Sequence, residues 1–407
     1  MKKNFLLIFS SSGFLSLANW IQIAIITKYT NNWQIGAFTL SLAITNPIFQ
    51  LTNLQLRPIL VSDRKEFFIF NEYFSLRIYS IIISIIISFI IAIFFENTLS
   101  FYPIVFLVAF SAGIDAVIDI FNAKQHYEEQ FRIISFSSGI RGIVIILGCF
   151  IGLVLFENLI LSLILICIFK IISFRFYDYH YWKQLIRGRL TLVLDKRIYL
   201  LLKLSLPLGI NLLIVSLNVN ISKYLVNYFY GIEIQGIYSS ISYLIVLGTI
   251  FVATIGQLFL PKLSHYSSNN LNLEFNKLLK VFISISGLVG ICLFIVSIFF
   301  GNEILKICFN QEIAEYSYLF IYLMFSSIFV YLASANGYCL TALRILKIQP
   351  IICFIGLIIN IISSLILNHF YGIVGITLAT GIAFASQFLL GLIVIRKKSD
   401  KIIIKYK

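Results

Sequence analysis

An all-α integral membrane protein is the fold this sequence predicts: twelve transmembrane helices in two pseudo-symmetric six-helix bundles, with both termini cytoplasmic. Three observations predict it. Of 407 residues, 60% are hydrophobic and only 12% are charged, with a mean hydropathy of +0.97. A soluble domain holds about 25% charged residues, and no soluble core of this size hides so much apolar surface. Apolar runs long enough to cross a hydrocarbon layer recur along the whole chain. Lys and Arg, finally, gather on one side of those runs.

The runs fall at 5–27, 35–55, 76–95, 101–122, 133–155, 157–177, 204–228, 236–260, 278–300, 316–340, 350–369 and 372–395. The first reads as a retained helix rather than a cleavable signal peptide, because Asn19 and Gln22 interrupt it and no small-residue cleavage site follows. Tight turns are expected at Glu157-Asn158 and between His369 and Gly372. The longest polar stretch, 178–203, divides the chain into 1–177 and 204–395, leaving a basic tail at 396–407. It reads as a cytoplasmic linker, and the tail as a segment able to touch anionic lipid headgroups.

With the N-terminus inside, all but four of the 31 Lys and Arg residues fall in inner pieces. Lys28 and Lys306 fall outside, while Arg141 and Lys223 lie within helices. This positive-inside bias accounts for the net charge of +14. A topology signal explains it better than nucleic-acid binding. The six cysteines are scattered without metal-ligand spacing, and the four histidines are equally dispersed. No phosphate-binding glycine loop and no nucleophile–base pair stand out, so neither a metal nor a cofactor is expected.

The two halves echo each other. A Lys-Tyr ends the first helix of each half, and Gly36-Ala-Phe and Gly236-Ile-Tyr open the next. Internal repeats of this kind are common in transporters, where substrate binds between the halves.

Polar groups in lipid are costly and normally face a bundle interior or a wet cavity, so their helical phase carries information. Asn46, Gln50, Asn53 and Arg57 follow i, i+4, i+7 and i+11 spacing, which places them on one narrow stripe of the second helix. Ser12, Ser16, Asn19 and Gln22 share a side of the first helix. Such stripes suit a hydrated wall or helix–helix hydrogen bonding. Asp115 and Asp119 lie one turn apart on one face. Counting turns inward along consecutive antiparallel helices brings Asp115 and Arg141 to one depth, so an ion pair is expected. In "SLNVNISKYLVNYF", Ser216, Asn220, Lys223 and Asn227 share one face, and Asn218 and Ser222 lie opposite. Lys223 then either lines a cavity or snorkels to the outer headgroups.

Four stretches resemble one family. They are "LQLRPILVSD" with "YFSLRI" (54–78), "IDAVIDIFNAKQHYEEQFRIISFSSGIRG" (114–142), "LPLGINLLIVSLNVNISKYLVNYFYGIEIQGIYSSISYL" (206–244) and "IGQLFLPKLSHY" (255–266). Their order and spacing are similar to those of Wzx-type O-antigen and polysaccharide repeat-unit flippases of the multidrug/oligosaccharidyl-lipid/polysaccharide exporter superfamily. The resemblance implies a multi-pass protein of the bacterial inner membrane, not an enzyme. It would move undecaprenyl-diphosphate-linked oligosaccharides to the outer leaflet by alternating access. Arg57, Arg141 and Lys223 would meet the anionic head, and Asn46, Gln50, Asn53, Asn220 and Asn227 the sugars. Asp115 would bind a coupling proton or sodium. Membrane lipids surround such a protein, and a polysaccharide polymerase is a candidate partner.

Three rivals remain. A multidrug exporter of the superfamily would share the fold, but its usually cationic cargo favours an acidic cavity. Lipid II flippases resemble fourteen-helix chains, against the twelve counted here. A polymerase or glycosyltransferase would be expected to show catalytic groups in long outer loops, and the outer loops here are short.

Overall fold

A computed structural model describes residues 2–63, 67–185, 190–269 and 271–404, with 2–10, 12, 185 and 398–404 by backbone alone. Arg64, Lys65, Arg187, Arg189, Lys405 and Lys407, all counted above as inner charges, lie outside these residues. No strand occurs among the described residues. The helices are α1 (Lys2–Tyr29), α2 (Asn32–Asn53), α3 (Leu56–Ser62), α4 (Phe70–Phe95), α5 (Phe101–Tyr127), α6 (Phe131–Cys149), α7 (Leu159–Ser173) and α8 (Tyr179–Leu185). They continue as α9 (Lys196–Ser242), α10 (Leu244–Ser268), α11 (Asn272–Cys308), α12 (Gln311–Ala314), α13 (Ser317–Ala342), α14 (Gln349–Tyr371) and α15 (Ile373–Ile404). Short π-helical turns extend α6 to Leu155 and α7 to Asp178.

Ten described stretches are long and apolar enough to cross a membrane. One of them, Lys196–Ser268, is 73 residues long and is broken by Gly231 (φ 81°, ψ 174°). Dividing it there and adding the 28-residue α1 accounts for the twelve crossings expected from sequence. The loop expected between 228 and 236 is thus a single non-helical residue. Both expected tight turns are present. Glu157 takes φ 49°, and the Asn158 side chain accepts a hydrogen bond from the Leu161 N–H to open α7. Gly372, at φ 59°, separates α14 from α15.

The helices are built for lipid rather than water. On α4, Ser80, Ser84, Ser88 and Ala92 recur every fourth residue and are buried, while Ile82, Ile83, Ile86, Ile90 and Ile93 are exposed. Small residues let neighbouring backbones approach, and the large apolar side chains turn outward into the hydrocarbon. Ser84 Oγ lies 2.6 Å from Thr52 Oγ1 on α2, so a polar pair ties the packed face.

The chain groups into two compact units: Met1–Ser216 with Ile232–Gly236, and Leu217–Gly231 with Ile237–Lys407. One buried cluster of the first unit holds Leu56, Leu76, Phe121, Trp182 and Leu201, and one of the second holds Val252, Phe282, Tyr331, Cys339 and Ile395. The glycines of the internal echo meet within the first unit. A Cβ on Gly236 would sit 2.6 Å from the Gly36 backbone nitrogen, and one on Gly36 would overlap the Ile232 carbonyl.

The described parts of the polar stretch 178–203, expected as a linker, 178–185 and 190–203, pack within the first unit. Their aromatic residues explain this. Trp182 is buried with ring centroids 5.4 Å from Phe70 and 5.0 Å from Phe121. Enclosure of a tryptophan to this degree is worth about 3–5 kcal/mol. The Val193 N–H donates to Ser75 Oγ at 2.9 Å, the Tyr79 hydroxyl donates to the Val193 carbonyl, and Arg197 pairs with buried Glu72 at 2.7 Å.

Candidate functional site: buried cations in each unit

In the first unit, α5 carries two aspartates one turn apart, and each is held by two bases. Asp119 Oδ1 accepts from Arg57 Nη1 at 3.2 Å, and its Oδ2 lies 3.5 Å from Arg77 Nη2. Asp115 Oδ2 is 2.6 Å from Lys170 Nζ, and its Oδ1 is 3.6 Å from Arg141 Nη1. The expected Asp115–Arg141 pair is therefore formed, with Lys170 as a second and closer partner. Lys170 also donates to Ser111 Oγ at 2.8 Å, and Arg141 Nη2 to Ser138 Oγ at 3.2 Å. Asp178, buried at the end of α7, interacts electrostatically with Arg141. Four bases thus face three acids in this cluster.

Two of those bases were counted as inner surface charges. Arg77 and Lys170 are instead 2% and 4% exposed. The phase argument for Arg57 also fails. The α2 helix stops at Asn53, and Leu54 (φ 54°) and Gln55 (φ 47°) take left-handed conformations before α3 begins. Arg57 is therefore not on the Asn46–Gln50–Asn53 stripe; the break turns it onto α3, where it reaches Asp119. Pro58 was the available signal, since proline favours the first turn of a new helix. Asn53 accepts from Arg77 Nη2 at 3.4 Å, whereas Asn46 and Gln50 are exposed. In α1, Asn19 is exposed and Gln22 half-buried.

In the second unit, Lys223 is only 7% exposed. Its Nζ donates to Asn220 Oδ1 at 3.2 Å and lies 4.7 Å from the centre of the Tyr243 ring. The side chain is folded onto its own unit rather than extended as an outer anchor. Among the described residues no carboxylate pairs with it. Asn227 is half-buried one turn further on. The opposite face of α9 holds a separate polar contact, in which Ser222 Oγ is 2.8 Å from Thr380 Oγ1 and 3.5 Å from Asn360 Nδ2. Tyr243 was not singled out from sequence, because an aromatic in an apolar run carries no distinguishing pattern.

All six cysteines are free, and no group of three or more His, Cys, Asp or Glu able to hold a metal occurs among the described residues.

Solved membrane-protein structures share this helical fold. An inward-facing multidrug resistance transporter of the MATE family and MOP superfamily superposes with a TM-score of 0.77, at 10% identity over 95% of each chain. A lipid II flippase MurJ structure, in an inward closed conformation, superposes with a TM-score of 0.76, at 18% identity over 98% of this chain and 90% of the other. The model of the family described as lipid II flippase MurJ matches residues 65–406, and the chain belongs to that family. The relationship set aside on helix count is therefore real at the level of family. A capsular polysaccharide biosynthesis protein, CapF of Staphylococcus aureus, is 27% identical over 394 residues, covering 96% of this chain and 97% of that one. The chain is a multi-pass membrane protein of a flippase family, in the bacterial cytoplasmic membrane.

Proposed function

We propose that this protein flips a polysaccharide repeat unit, linked to undecaprenyl diphosphate, from the cytoplasmic to the outer leaflet. Transport is by alternating access, without catalysis, and both termini are cytoplasmic. The observation that carries the reading is Lys223: a buried cation with no carboxylate partner among the described residues. Its charge is withdrawn from water and offset by Asn220 and the Tyr243 ring but neutralised by no acid among the described residues, which leaves it to attract an anionic ligand. A diphosphate head is such a ligand. The excess of bases around Asp115 and Asp119 points the same way, and arginine grips phosphate oxygens bidentately. Exposed Asn46 and Gln50 offer donors and acceptors suited to sugar hydroxyls. The capsular polysaccharide relative favours a surface-polymer repeat unit over the cell-wall precursor lipid II. A cationic drug would meet like charge at Lys223. An ion reaching Asp115 would compete with Lys170 and Arg141 for it, so coupling to a proton or sodium would act by loosening that cluster.

Deleting the gene tests the reading. Lipid-linked repeat units are expected to accumulate on the inner leaflet while surface polysaccharide disappears. Units found on the outer leaflet but unpolymerised would instead make the protein a polymerase.

A further inference from the structure

We propose that Lys170 and Arg77 are positioning residues: buried counter-ions that occupy Asp115 and Asp119 and so leave Arg141 and Arg57 available to an anionic cargo. This rests on the reading that the cargo carries a diphosphate.

The two clusters share one plan. Each aspartate divides its oxygens, one to each base. In each cluster one base is enclosed, Lys170 at 4% and Arg77 at 2%, and the other is more open, Arg141 at 12% and Arg57 at 30%. Each enclosed base has a second neutral partner, Ser111 Oγ at 2.8 Å for Lys170 and Asn53 Oδ1 at 3.4 Å for Arg77; Arg141 also has one, Ser138 Oγ at 3.2 Å, so it is burial that separates enclosed from open bases. The open arginine is held by its aspartate through a single oxygen. A guanidinium held bidentately by a carboxylate has little left for phosphate, because both ligands want the same fork of N–H donors. With both Asp115 oxygens free, that carboxylate could take the Arg141 fork bidentately. Lys170 prevents this by taking one oxygen of Asp115, and Arg77 does the same at Asp119. The aspartates are one turn apart on α5, so both clusters sit on one stretch of that helix.

The test titrates undecaprenyl diphosphate into the purified full-length protein, reading the dissociation constant on monodisperse material alongside the melting temperature. Lys170→Met is expected to weaken binding about tenfold, because Asp115 recaptures Arg141. Adding Asp115→Asn to Lys170→Met is expected to return affinity to within about threefold of wild type. Asp115→Asn is not expected to rescue Arg141→Gln. A purely structural Lys170 would lower the melting temperature of Lys170→Met without moving its dissociation constant, and that result overturns the proposal. Failure of Asp115→Asn to rescue also overturns it, because Lys170 would then touch the cargo itself. Arg77→Met, with and without Asp119→Asn, repeats the test on independent residues should the Lys170 variants fail to fold. Absence of binding by the wild type would refute the functional reading instead.

Discussion

Lys223→Met is expected to leave the melting temperature of the purified protein near that of wild type while weakening lipid-diphosphate binding by about 30-fold or more. The two halves of this expectation come from separate sums of forces. Burying an unpaired ammonium costs several kcal/mol. The cation–π contact with Tyr243 returns about 2 kcal/mol in a desolvated setting. The hydrogen bond to Asn220 returns about 1.5–3 kcal/mol, as bonds to charged groups do. The terms nearly cancel, so the lysine adds little to stability, and methionine fills the same volume without the desolvation cost. Binding has no such cancellation. Truncating one partner of a buried charge pair costs about 2–5 kcal/mol, a factor of about 30 at the lower end. A large drop in melting temperature with unchanged affinity would make Lys223 a structural residue. Lys223→Arg, which keeps the charge but not the shape, should retain part of the binding.

Gly36→Ala is expected to cost about 1–3 kcal/mol or more, read as a lower melting temperature and a reduced yield of monodisperse protein. The added methyl would overlap the Ile232 carbonyl, and backbone cannot step aside as a flexible side chain can. Gly236→Ala should cost a similar amount, because its Cβ would press on the backbone of Gly36. The double variant should not be twice as bad, since either methyl alone forces the same two segments apart. Normal stability in either single variant would mean that α2 and the segment after Gly231 are less closely packed than the structure has them.

What could be read from the sequence follows from where the physics is local. Hydropathy located the membrane runs because lipid demands a fixed length of apolar helix, and the turns at Asn158 and Gly372 followed from short gaps between runs. The Asp115–Arg141 pair was legible because consecutive helices run antiparallel, so counting turns fixes relative depth. Lys170 and Arg77 were not. Each lies near the end of its helix, where polar residues lower the local hydropathy without stopping the helix. The fourth helix starts at Phe70 rather than near residue 76, which carries Arg77 inside. The aromatic segment around Trp182 was read as a linker because its charges outweighed its rings in the average. The break at Leu54 and Gln55 has no glycine to announce it, and a stripe drawn through it misplaced Arg57 while still selecting a residue of the charge cluster. The meeting of Gly36 and Gly236 depends on pairing between distant segments, which no single-helix pattern encodes.

The most direct measurement is transbilayer movement of an undecaprenyl-diphosphate-linked oligosaccharide in vesicles containing the purified protein, followed by a membrane-impermeant reagent that modifies the sugar. With the wild type, the fraction initially shielded in the inner leaflet should become accessible far faster than in protein-free vesicles, and Lys223→Met should slow it toward that baseline. Equal rates with and without the wild-type protein, under an imposed proton gradient, a sodium gradient or neither, would contradict the claim that this chain carries anionic lipid-linked saccharides.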